Sequence, residues 1–225
     1  MNIKAIVTDI EGTTSSIAFV HDVLFPYASQ RLAAFVHEHQ NDKNVAQLLQ
    51  DTRNEAGEPD ADTERAIAIL LQWIAEDSKV TPLKALQGLI WEQGFKNGDF
   101  TGHIYQDAVR NLQLWQQSGI DIYVYSSGSV YAQQLLFGHS DAGNLLPLFK
   151  GYFDTGIGHK RDVNSYLAIA ESTGLPAEQI LFLSDTVEEL DAARDAGMQT
   201  IQLLRDDDTG TGSHVIAHDF DQIVL

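Results

Sequence analysis

The chain has 225 residues, 44% apolar and 20% charged, enough to bury the core of one large domain or of one domain plus a small second one. Its 32 Asp and Glu against 14 Lys and Arg give a net charge of -18, a surface that repels nucleic-acid backbones and anionic membranes. With no cysteine, disulfides, thiol catalysis and thiolate metal sites are excluded, and the apolar run before Asp9 is too short for a signal peptide. No stretch approaches the roughly 18 to 20 apolar residues of a spanning helix, so a cytoplasmic protein that binds neither nucleic acid nor membrane is expected.

In chain order, Ala5-Ile6-Val7 is a short apolar run ended by polar residues and Gly12, as for a buried strand entering a loop. From about residue 21 to 95 the pattern is helical, with Ile67, Leu70, Leu71 and Ile74 at helical spacing. A polar turn is expected over residues 54–60. Another helix is expected to start at Thr81-Pro82, with Thr as cap and Pro in the first turn.

After about residue 100 helices and strands alternate. Helices are expected over residues 105–117, 131–137, 163–173 and 187–196. Strands are expected over 120–125, 152–153, 180–183 and 200–203. This rhythm predicts an α/β fold with a doubly wound parallel sheet, its first strand separated from the rest by an all-helical insertion of roughly 80 residues. The expected division is a core of residues 1–16 and 97–225 and a helical cap of residues 17–96, inserted over the carboxyl edge of the sheet where open α/β folds bind ligands.

Four chemistry-bearing segments follow strands, so they collect on that edge: Asp9-Ile10-Glu11, Ser126-Ser127-Gly128, Gly158-His159-Lys160 and Ser184-Asp185-Thr186-Val187-Glu188-Glu189. Together they supply carboxylates, hydroxyls beside a glycine and one lysine. Phosphoryl transfer needs that inventory: a nucleophile, an acid/base, hard oxygen ligands and phosphate donors. Two segments also have plainer readings. Ser129 can cap the helix that follows it, and Thr186 with Glu189 fits a capping box. The eight histidines show no zinc-ligand pattern, and His37 with His39 reads as a solvated helix face.

The set resembles the haloacid dehalogenase superfamily of phosphohydrolases, with its Rossmann-like core. The match narrows through Asp9-Ile10-Glu11-Gly12-Thr13-Thr14, Leu86-Gln87-Gly88-Leu89-Ile90-Trp91, Tyr125-Ser126-Ser127-Gly128-Ser129-Val130, Leu136-Phe137-Gly138-His139-Ser140 and Ile157-Gly158-His159-Lys160. These five ordered segments are similar to the enolase-phosphatase family of methionine salvage.

The resemblance implies Asp9 as nucleophile and Glu11 as the acid/base; most phosphatases of the superfamily carry Asp at the second position. It implies Lys160 as a catalytic and phosphate-binding cation, with Ser126 and Ser127 as substrate donors. One magnesium ion per chain would be held by Asp9, Asp185 and the Glu11 carbonyl, with Glu189 behind them. Trp91 and Phe95 suit either core packing or the floor of a pocket for an apolar substrate tail, and the resemblance implies a cap-side substrate contact, with Trp91 as the substrate-binding candidate.

The implied reaction takes a small phosphorylated diketone, 2,3-diketo-5-methylthiopentyl-1-phosphate, through an enol phosphate and an aspartyl-phosphate to the acireductone. The alternative is a general sugar-phosphate phosphatase of the same superfamily. A monomer is expected. A receiver-like signalling domain is disfavoured by the helical insertion, and a dehalogenase by Lys160, Glu11 and the metal carboxylates. Arg205-Asp206-Asp207-Asp208-Thr209-Gly210 departs from the Arg-Pro-Gly-Asn type of segment of the family; lying after the motifs, it is not expected to alter catalysis.

Overall fold

The computed structural model describes residues 2–205 and 210–225, so most of the acidic departure, residues 206–209, lies outside the described residues. Six strands form one parallel sheet: β1 (Ala5–Thr8), β2 (Asp121–Tyr125), β3 (Gly151–Phe153), β4 (Ile180–Ser184), β5 (Gln199–Leu203) and β6 (Val215–Ala217). Their order is β3-β2-β1-β4-β5-β6, with β1 flanked by β2 and β4.

Near-continuous apolar runs in β1, β2 and β4 are what a sheet covered on both faces requires. Ala5, Val7, Tyr123, Tyr125, Ile180 and Phe182 form one buried face with Tyr166, Ile169, Leu190 and Ala193. The alternate residues Ile6, Ile122, Val124 and Leu181, also buried, turn to the opposite face.

The helices are α1 (Ile17–Phe19), continued by a π-helical turn at Val20–Leu24, then α2 (Phe25–His39), α3 (Lys43–Glu55), α4 (Thr63–Ala75) and α5 (Thr81–Asn97). After them come α6 (Gln106–Gln117), α7 (Val130–Gly138), α8 (Val163–Thr173) and α9 (Val187–Asp195). The fold is the expected doubly wound α/β sheet with an all-helical insertion after its first strand. Two compact units result, Met1–Ile17 with Thr101–Leu225, and Ala18–Phe100. None of the described helices is long and apolar enough to cross a membrane.

The helical unit has its own core, with Leu32, Val36, Leu49, Leu70, Leu86 and Ile90 buried. Asp62 caps α4 by accepting from the Arg65 amide at 2.8 Å. At α5 the expectation needs correction: Thr81 is the first helical residue, and Val80 precedes it without a side-chain cap. Pro82 lies in the first turn, where its missing N–H costs nothing.

Strand β6 was not anticipated. At three residues, two of them exposed, it has too little pattern to stand out from a loop.

Candidate active site

The parallel register brings the functional segments side by side. Thr8 pairs with Val124 on one side and Leu183 on the other, so Asp9, Ser126 and Asp185 all emerge from the same edge. The Asp9 amide continues the ladder by donating to the Leu183 carbonyl at 2.8 Å. Beyond it the chain closes into a tight turn. The amides of Thr13, Thr14 and Ser15 converge on the Ile10 carbonyl at 3.2, 3.0 and 2.8 Å, and the Gly12 amide donates to Ser15 O. Hydroxyls of Thr8 and Thr14 donate to the Asp9 carbonyl at 3.0 and 3.1 Å. Gly12 has φ +70°, and a Cβ there would collide with the Asp185 carboxylate. Glycine therefore lets two acidic loops meet.

Lys160 is the hub. Its Nζ lies 2.6 Å from Asp9 Oδ1 and 2.7 Å from Glu189 Oε2, with the three side chains almost fully buried. Burial opposes its charge, but Asp9 and Glu189 outweigh this and hold its pKa above the ordinary lysine value. Glu189 also accepts from the Ser184 hydroxyl at 3.0 Å. Its pKa is raised, first by burial and then by the Asp9 charge, against the pull of Lys160. Asp185 is pushed up to about 6 by burial and by Asp9.

The capping box is not formed. The Thr186 hydroxyl donates to Asp185 Oδ1 at 3.0 Å instead of serving α9, while Glu189 is engaged by Lys160 and Ser184. A buried ammonium outcompetes a backbone amide for that carboxylate.

Ser126 is buried, and its Oγ accepts from the Gly128 amide at 3.1 Å. Ser127 follows, half-buried at the same edge. Ser129 caps α7 by accepting from the Ala132 amide, so the plain reading holds for that serine. Glu11 is half-buried in the β1 turn. Trp91 belongs to the helical unit, where it is buried and its indole N–H donates to the Leu24 carbonyl at 2.8 Å. Phe95 packs edge-to-face on Phe100 there.

Several supporting residues escaped the sequence reading. Hydroxyls of Tyr125, Ser165 and Tyr166 donate to three successive carbonyls, Gly158, His159 and Lys160, at 3.0, 2.8 and 2.6 Å. Gln133 Nε2 donates to the carbonyls of Gly128 and Phe153, and Asp154 accepts from the amides of Val130 and Gly156. Gln202 donates to the carbonyls of Asp185 and Gly210. A signal existed in the apolar strands: a buried phenol such as Tyr125 or a buried amide such as Gln202 needs a partner.

The donor set suits a hard cation. Asp9 and Asp185 are close enough for one charge to disfavour the other, and a single lysine faces Asp9, Glu189 and Asp185 together. No group of three His, Asp or Glu side chains able to hold a metal occurs among the described residues. Two carboxylates completed by a backbone carbonyl, water and phosphate match the way magnesium is usually bound.

An acid–lysine cluster on the carboxyl edge of such a sheet defines a class, and the family described as haloacid dehalogenase-like hydrolase matches residues 3–197. Enolase-phosphatase E1 of Pseudomonas aeruginosa (strain UCBPP-PA14) is 59% identical over 224 residues, covering 100% of both chains. That of Pectobacterium atrosepticum is 58% identical over 223 residues, covering 99% of this chain and 97% of the relative. The crystal structure of the UTR4 protein of Saccharomyces cerevisiae superposes with a TM-score of 0.81 at 31% identity, covering 99% and 100% of the two chains. The chain belongs to the haloacid dehalogenase-like hydrolases and, within them, to the enolase-phosphatase E1 family.

Proposed function

We propose that the chain enolises 2,3-diketo-5-methylthiopentyl-1-phosphate and then hydrolyses the enol phosphate to 1,2-dihydroxy-3-keto-5-methylthiopentene, in methionine salvage. The observation that carries this reading is the buried Asp9–Lys160–Glu189 cluster, with Glu11 two residues after Asp9 in sequence, in a chain 59% identical to an enolase-phosphatase.

In this reading an Asp9 carboxylate oxygen attacks phosphorus, and the bond from phosphorus to the ester oxygen breaks. Glu11 gives its proton to the departing oxygen, then takes one from the water that hydrolyses the aspartyl-phosphate. Lys160 offsets the repulsion between attacking carboxylate and phosphate, and the hydroxyls and amides of Ser126 and Ser127 hold phosphate oxygens. Glu189 keeps Lys160 aimed at Asp9. A magnesium ion held by Asp9, Asp185 and the Glu11 carbonyl would supply further positive charge to the phosphate. The helical insertion acts as the cap that selects the substrate, and Trp91 stiffens it. The enzyme works as a cytoplasmic monomer on a free metabolite.

The test is a spectral assay with the diketo phosphate, with and without magnesium. An absorbance band for the enol product and release of phosphate are expected. Cleavage of simpler phosphate esters without any enol band would favour the general phosphatase instead. Asp9→Asn is expected to abolish phosphate release, and normal turnover by that variant would remove Asp9 as nucleophile.

A further inference from the structure

The turn that carries Asp9 and Glu11 is held from outside by side chains that include Arg205, on Thr13, and His103, whose Nδ1 accepts from the Ser16 amide at 3.0 Å. Arg205 follows β5 and is buried, with 6% of its side chain exposed. Its Nε donates to the Thr13 carbonyl at 3.0 Å, and a terminal nitrogen lies 2.8 Å from Asp107 Oδ2. The guanidinium stacks over the Tyr105 ring at 4.1 Å, with Phe220 on it at 5.3 Å.

Each of these partners is itself anchored. The Tyr105 amide donates to the Thr14 carbonyl at 2.9 Å, and Asp107 Oδ2 accepts from the Phe220 amide at 2.8 Å. Thr13 is fully buried between Gly12, which abuts Asp185, and Thr14, whose hydroxyl grips the Asp9 carbonyl. Arg205 therefore joins the start of α6 and the C-terminal segment to the turn that aims the nucleophile.

We propose that Arg205 is a positioning residue for the reaction, acting through the Thr13 carbonyl on the placement of Asp9 and Glu11. This rests on the phosphatase reading above. The planar guanidinium presents Nε to the carbonyl and a terminal nitrogen to Asp107 in one rigid fork, while its face covers Tyr105. A lysine has one nitrogen and cannot span both acceptors in that geometry. Arg205 stands outside the set of motifs expected to matter for catalysis.

The experiment compares wild type, Asp9→Asn, Arg205→Ala and Arg205→Lys by steady-state phosphate release, well below each melting temperature and corrected for folded protein. Both Arg205 variants are expected to lose about tenfold or more in kcat with KM within about twofold, since misplacing reacting groups by an ångström costs that order. Ethylguanidinium in the assay is expected to restore part of the kcat of Arg205→Ala and none of that of Asp9→Asn. A folded Arg205→Ala or Arg205→Lys with wild-type kcat, or losses that track the folded fraction alone, overturns the positioning role. Should the alanine variant not fold, the lysine variant decides on the same kcat criterion. Wild type that releases no phosphate fails the functional reading, a result separate from either Arg205 outcome.

Discussion

Lys160 illustrates how a buried charge is made tolerable by what surrounds it. Two carboxylates satisfy its ammonium, and three hydroxyls fix the backbone from which it projects. Tyr166 is fully buried, and its hydroxyl serves the Lys160 carbonyl. Tyr166→Phe keeps the ring packing and removes one hydrogen bond. A stability loss of about 1–3 kcal/mol is expected in denaturant titration, because the carbonyl is left unpaired in the interior. A fall in kcat should accompany it. An unchanged variant on both measures would mean that the Lys160 loop holds itself. The motif residues Asp9, Glu11, Lys160 and Asp185 were legible from sequence because each follows a strand in a recognisable order. Tyr125, Ser165 and Tyr166 were not, because their role depends on hydroxyls from a strand and from α8 meeting one loop.

At the scale of elements, the junction of α6, the segment after β5 and the C-terminal turn is an electrostatic one. Asp107 forms an ion pair with Arg205 and accepts from the Phe220 amide. Burial pushes its pKa up, but these donors outweigh burial and leave it below the ordinary value of 3.8. A carboxyl depressed in the folded state contributes stability above its unfolded pKa and loses it as pH falls through the folded one. Asp107→Asn should therefore be less stable than wild type at neutral pH, by about 1–3 kcal/mol for a buried donor set left short of its anion. The two should converge as the pH drops below 3.8, when wild type also becomes neutral there. Parallel stability curves across that range would rule out the Asp107 charge as the source. The sequence suggested helix capping at Thr81 and Thr186, and both suggestions failed for local reasons. Val80 takes the cap position ahead of Thr81, and Asp185 captures the Thr186 hydroxyl.

For the whole molecule, a net charge of -18 makes local positive charge scarce, and the site concentrates carboxylates around one lysine. A bound divalent cation would relieve that concentration and so couple to folding. Magnesium at about a hundred times its dissociation constant should add about 2.7 kcal/mol, raising the melting temperature by roughly 5–10 °C for a chain of this size. Asp185→Asn should lose most of that shift. A melting temperature unmoved by magnesium in wild type would remove the metal assignment.

The sequence by itself determined the alternation of strands and helices, the helical insertion and the order of the motif acids, serines and lysine. These are properties of local periodicity and of short segments read in chain order. Only the tertiary structure decided which groups touch: that Glu189 turns to Lys160 rather than to its own helix, that Gly12 lets the Asp9 turn meet Asp185, and that Arg205 reaches back to Thr13. Such contacts join residues up to 192 positions apart in the chain, and they follow from strand register and burial, which no local pattern encodes.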